Sequence, residues 1–110
     1  MLKIMMHEDV CFTIISNIGE ATANFYEAIE CCKNGDFETA EKAKIAGEEA
    51  SLVAHKSHAE LIKKMANGEP IEMNLLLVHA EDQLMNAEMM KMLTEQIMHL
   101  YKEIHYLKLK

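Results

Sequence analysis

Two short breaks divide a chain that otherwise reads as continuous helix former. Lys33-Asn34-Gly35-Asp36 offers a glycine that can end one helix in the left-handed conformation and an aspartate that can cap the next. Asn67-Gly68-Glu69-Pro70 repeats the signal, with a proline that cannot continue a helix. With one Pro and four Gly in 110 residues, little else interrupts the run of Ala, Glu, Lys, Leu and Met. The breaks leave three segments of about thirty residues, each about 40 Å long as a helix. Short connections force neighbouring helices antiparallel, so the expected architecture is all-α, an up-down-up three-helix bundle in a single domain spanning residues 1–110.

Periodicity agrees. The first segment repeats apolar residues at Val10, Ile14, Ile18, Ala21, Phe25, Ala28 and Cys32. The second repeats small ones, at Ala40, Ala43, Gly47, Ala50, Ala54, Leu61 and Met65, which lets helix axes approach closely. The third is bulkier: Leu75, Val78, Met85, Met89, Leu93, Leu100 and Ile104. The ten methionines read as core or subunit-interface filling before they read as a peptide groove.

Composition narrows the function. A formal net charge of −7 repels phosphate backbones and anionic lipid, which argues against nucleic-acid and membrane partners. Aromatic residues make up 5% and Trp is absent, so a base-stacking platform is not expected. No apolar run reaches the roughly 18 residues of a membrane span. Lys3, Glu8 and Asp9 in the first ten residues speak against a signal peptide. Cys11, Cys31 and Cys32 fit neither a disulfide framework nor a zinc spacing, as expected for structural thiols in a reducing cytoplasm.

The third segment carries one anomaly. Leu75, Asp82 and Met89 are seven residues apart and share a face, so Asp82 interrupts an apolar stripe between Val78 and Met85. A buried carboxylate needs a partner or a metal, and the neighbour at helical spacing is His79, with Gln83 bordering the same patch. Two readings follow. A His79–Asp82 pair can satisfy itself at a bundle edge. Alternatively, the bundle self-associates with closed symmetry, and copies of Asp82 converge on the axis. Such a ring of carboxylates must be neutralised by protons or by a hard cation such as Mg2+. His79 would then stand beside the axis as an imidazole nucleophile suited to phosphoryl transfer. Spacing does not choose between the two.

The stretch Leu75-Leu-Leu-Val-His79-Ala-Glu-Asp82-Gln-Leu-Met85 resembles the signature L-L-x-V-H-A-Q-D-H-L-M of the enzyme IIA component of the lactose/cellobiose (chitobiose) phosphotransferase system. Gly35-Asp-Phe-Glu-Thr-Ala40 is similar to that family's first turn, and Ala54-His-Lys-Ser-His58 with Leu61 to its A-H-x-x-Q-x-x-L stretch. Leu100-Tyr101 is similar to its closing helix, and the resemblance runs from about Phe12 to Tyr106. It implies a homotrimer of nine helices. It also implies a phosphorylated histidine at His79 and a metal-binding aspartate at Asp82, holding one Mg2+ per trimer. The implied partners are phosphorylated HPr as donor and a cysteine of the IIB component as acceptor, during uptake of a disaccharide. No nucleotide is implied, in keeping with the lack of a Gly-rich phosphate loop in the sequence.

Two positions depart from the pattern: Glu81 replaces a glutamine and Gln83 a second histidine. Glu81 adds negative charge beside the acceptor, which weakens phosphate binding unless it points to solvent. The competing hypotheses are a non-catalytic helical interaction module and a regulatory protein with a degenerate site. His55 and His58 are three apart on the second segment, which could bind a metal, but no carboxylate–His–His pattern completes a site, so both read as surface or edge residues. His99 and His105, among Lys102, Lys108 and Lys110, read as structural, complementing a helix C-terminus.

Overall fold

The computed structural model describes residues 2–109, with side chains from His7 to Leu109. The Lys3 side chain and Lys110, both invoked above, lie outside the described residues. The chain forms three helices, α1 (Leu2–Lys33), α2 (Phe37–Ala66) and α3 (Leu75–Leu109), with no strand among the described residues. Their 32, 30 and 35 residues correspond to about 45–52 Å of helix each, longer than the 40 Å read from the breaks. The molecule is a rod of 63 × 20 × 18 Å.

Both breaks end a helix in the same way. Gly35 takes φ +81°, its N–H donates to Cys32 O at 3.0 Å, and Asp36 N–H donates to Cys31 O at 2.9 Å. Gly68 takes φ +85°, with Gly68 N–H to Met65 O and Glu69 N–H to Lys64 O, both 3.1 Å. Each is a glycine-terminated Schellman motif, which satisfies carbonyls that the helix end leaves open. Asp36 then starts α2 as expected, its carboxylate accepting from Thr39 N–H at 3.2 Å. Asn74 does the same for α3, accepting from Leu77 N–H at 2.9 Å.

The core follows the first two stripes. Ile14, Ile18, Ala21, Phe25, Ala28 and Cys32 of α1 are buried, and so are Ala40, Gly47, Ala50, Ala54 and Leu61 of α2. The small residues of α2 do what their size permits. The Phe25 ring lies directly over Gly47, where an added Cβ would stand 2.7 Å from Phe25 Cε1. Val10 and Ala43 are only half-buried, and Met65, at the end of α2, is exposed.

The third helix departs from the stripe read in its sequence. It packs on α1 through Leu77, Ala80, Leu84, Ala87, Thr94 and Met98. Leu75, Val78, Met85, Met89, Leu93, Leu100 and Ile104 all face outward, with Leu75 84% exposed. Set between Leu77, Leu84 and Met98 on the inner face, Ala80, Ala87 and Thr94 allow close helix contact, and the remaining bulky stripe is left on the far side. Thr94 is fully buried, yet its hydroxyl is satisfied by donating to Met90 O at 2.7 Å.

Between α2 and α3 the apolar contact gives way to charged bridges. His58 Nε2 lies 2.6 Å from Glu81 Oε1, His55 Nε2 meets Glu88, and Lys91 Nζ lies 3.3 Å from Glu48 Oε2. At the opposite end, His105 stands edge-on to Phe37 (centroids 5.3 Å apart), with Nε2 3.3 Å from Lys33 O. A carbonyl only accepts, so the ring donates its N–H to the last turn of α1. Lys102 Nζ lies 6.0 Å over the Phe37 ring. His105 is structural, as its position suggested.

Candidate functional site

Ala80, one residue beyond His79, is completely buried, and Leu77 and Leu84 flank it in the same apolar cluster with Ile14 and Ile18 of α1. That packing fixes the rotation of α3 and so determines what the next residues around the helix present. His79 and Asp82 both come out exposed. Asp82 sits in the outward apolar face, among Val78, Met85 and Met89, each about half exposed. His79 stands at the edge of that face.

His79 and Asp82 make no hydrogen bond or ion pair with each other among the described residues. The self-satisfying pair is therefore not formed within one chain. The aspartate instead interrupts an apolar surface that α1 and α2 do not cover. No three His, Cys, Asp or Glu side chains gather into a metal site among the described residues of one chain.

Glu81 does not share the surface of its neighbours. Its side chain turns to α2, where it is held by His58, with 19% of the histidine side chain and 36% of the glutamate's exposed. Glu81 also closes one side of an open apolar cavity of about 520 Å3 lined by Leu61, Ile62, Met65, Leu77 and Val78. Gln83 is half-buried. His55 and Glu88 form a second bridge along the same seam, with His55 Nε2 shut off from solvent.

These bridges correct one element of the sequence reading. His55 and His58 do sit at an edge, but each has a carboxylate, supplied by another helix. The partners are 33 and 23 residues away, and a search along one helix cannot find them. A signal was nevertheless present: Glu81 and Glu88 are seven apart on α3, opposite two histidines three apart on α2.

The thiols behave as inert groups. Burial pushes the Cys11 thiol above its ordinary value, with the Glu81 and Glu8 charges adding to the effect. Burial raises Cys32 as well, partly offset by Lys102. Cys31 is raised by desolvation and by its hydrogen bond to Glu27 Oε1 at 3.5 Å. All three are free and poorly suited to act as thiolates. None of the described helices is long and apolar enough to cross a membrane.

The site is thus an exposed imidazole with no side-chain partner among the described residues, on a packed helix, one turn from an exposed carboxylate in an uncovered apolar stripe. Comparison with known proteins gives this arrangement a family. Residues 9–102 match the family model described as "PTS system, Lactose/Cellobiose specific IIA subunit". The chain is 44% identical over 98 residues to the lichenan-specific phosphotransferase enzyme IIA component of Bacillus subtilis, covering 88% of each chain. It is 32% identical over 91 residues to the lactose-specific EIIA component of Streptococcus mutans, covering 83% of this chain and 88% of that one. Its fold superimposes on the crystal structure of the cellobiose-specific enzyme IIA from Bacillus anthracis with a TM-score of 0.87 and 37% identity, over 89% of this chain and 90% of the other. The chain belongs to the lactose/cellobiose-specific IIA family of the sugar phosphotransferase system, as a phosphocarrier component of sugar uptake.

Proposed function

We propose that His79 is the residue that carries the phosphoryl group. The observation that supports it is the exposure of His79 without a side-chain partner among the described residues, on the helix whose sequence resembles the family signature. Phosphorylated HPr is the donor. The lone pair of His79 Nε2, with the ring proton on Nδ1, attacks phosphorus as the donor's own nitrogen–phosphorus bond breaks. The phosphohistidine then gives its phosphoryl group to a cysteine thiolate of the IIB component, and His79 returns to the neutral imidazole. No nucleotide enters, and every step takes place in the cytoplasm. The sugar class is that of the lactose, cellobiose and chitobiose systems.

The same reading makes the protein a homotrimer of nine helices. The outward stripe of α3, bulky and uncovered in the single chain, is the surface that would meet its copies around the axis. Three Asp82 carboxylates would then converge, and hard oxygen donors of that kind fit Mg2+. Asp82 suits that role because it is exposed and free of a cation partner among the described residues. The ion would neutralise the ring of carboxylates. A non-catalytic interaction module has less support, since it gives no account of a carboxylate in the middle of an apolar seam.

The test is to incubate the purified protein with phosphoenolpyruvate, enzyme I and HPr, and to record intact mass at neutral and acid pH. The expected result is one added phosphoryl group, lost in acid and absent from His79→Ala. An unmodified protein beside fully phosphorylated HPr would remove His79 from the relay.

A further inference from the structure

Glu81 follows His79 by two residues, so the two Cα atoms stand roughly 5 Å apart on the helix. That lies inside the screening length of about 8 Å at physiological salt. A carboxylate free to swing there would repel an incoming phosphoryl dianion. The structure sends it elsewhere. Two residues rotate an α-helix by about 200°, and Glu81 leaves α3 on the side facing α2. Its Oε1 lies 2.6 Å from His58 Nε2, which must carry the hydrogen, because an ionised carboxylate only accepts. In the sequence pattern that this chain resembles, both positions are glutamine. His58 and Glu81, which both differ from that pattern, therefore touch each other in this chain, and their contact is an ionisable one.

We infer that His58 is a positioning residue for phosphoryl transfer: it fixes the Glu81 carboxylate on the α2 side of α3 and so keeps that charge away from the approach to His79. The inference rests on His79 being the acceptor. His58 touches neither donor nor phosphoryl group and acts through Glu81 alone. The second bridge supplies an internal comparison. His55 joins the same two helices through Glu88, which lies nine residues beyond His79, about 13 Å further along the axis and outside the screening length.

The experiment measures the second-order rate constant for phosphorylation of the full-length protein by phospho-HPr, at low and high salt. Wild type comes first: failure there removes the His79 reading itself. With wild type active, His58→Ala is expected to slow the reaction about three- to tenfold at low salt, with the gap closing as salt rises. Removing the freed charge in His58→Ala/Glu81→Gln restores the rate. His58→Gln, whose amide can donate the same hydrogen bond, keeps most of it. His55→Ala stays within about twofold of wild type, because Glu88 is too far from the reacting atoms to matter at this salt. Circular dichroism melting checks that each variant is folded, and His58→Gln carries the test if His58→Ala is not. Equal slowing by His55→Ala and His58→Ala would show that the bridges only brace the helices. A double variant as slow as His58→Ala, or a His58→Ala with wild-type rate at low salt, would equally overturn the inference.

Discussion

The two faces of α3 are made to opposite specifications. The face toward α1 is assembled from Leu77, Ala80, Leu84, Ala87, Thr94 and Met98, all buried and half of them small. The face away from it carries Leu75, Val78, Asp82, Met85, Met89 and Leu93, large, exposed and interrupted by one charge. An ordinary bundle puts its largest apolar groups inside. Here close approach of small residues fills part of the interior beside Ile14, Ile18, Phe25 and Leu84, and further large apolar groups of α3 stand on a surface that the chain's other helices do not cover. The difference teaches that the residues that fold this helix onto α1 are not the ones that make its largest exposed apolar surface.

Substitutions should separate the two. Leu84→Ala opens a cavity in the inner face and is expected to lower stability by about 2–5 kcal/mol, independent of protein concentration in chemical denaturation. Met89→Lys on the outer face should leave the helix content intact and shift the protein toward monomer in sedimentation equilibrium. If Met89→Lys unfolds the chain instead, the division between folding and assembly faces is wrong. Close approach is tested by two helical glycines. Gly47→Ala drives a methyl into Phe25 and should destabilise by about 1–3 kcal/mol. Gly19→Ala meets nothing within 4 Å and should stabilise by roughly 0.5–1 kcal/mol. Opposite signs in thermal melts are the outcome that supports the packing account.

Asp82→Leu completes the outer stripe. The expected result is an oligomer that persists and whose melting temperature no longer responds to chelator, whereas wild type loses stability when the ion is removed. A wild-type protein with no response in either chelator or added Mg2+ would count against metal at this position. The smallest effect concerns the inner thiols. Cys11 and Cys32 are raised in the fold, so the folded state holds their protons more tightly than the unfolded chain. That contribution is complete below the ordinary thiol value of 9.0 and is lost as pH rises through the folded values. Alkaline unfolding should therefore shift slightly downward in wild type relative to Cys11→Ala/Cys32→Ala, each compared with its own stability at pH 7. Alkylation of either buried thiol in the native protein should be slow at pH 8.

Much of this was legible in the residues. Gly35, Asp36 and Gly68 announced where the helices end, because positive φ and an N-cap are local requirements that a short stretch expresses by itself. The stripes of α1 and α2 named their buried faces for the same reason. The resemblance around His79 named the family, and the fold bore it out. What the residues did not express was the rotation of α3. Its bulky stripe and its inner stripe repeat at the same three-and-four spacing, and the choice of which face packs on α1 depends on how closely α1 allows it to approach. The bridges at His55 and His58 were hidden for a related reason. Their partners belong to another helix, and only the packed bundle puts them in register.

The turn between α1 and α2 has a roof supplied from far along the chain. His105 stands over Gly35, its Cε1 3.1 Å from where a Cβ would be, while its ring reaches Lys33 O and Phe37. During synthesis this gives the protein an order of events. Once residue 66 has left the ribosome, α1 and α2 can zip together through Phe25 and Gly47, but the end of their hairpin stays open to water. It is sealed only when the last turns of α3 emerge and fold back along the whole rod. His105 thus acts as a clasp on the hairpin: a chain cut before it would leave the α1–α2 turn with its fastening undone.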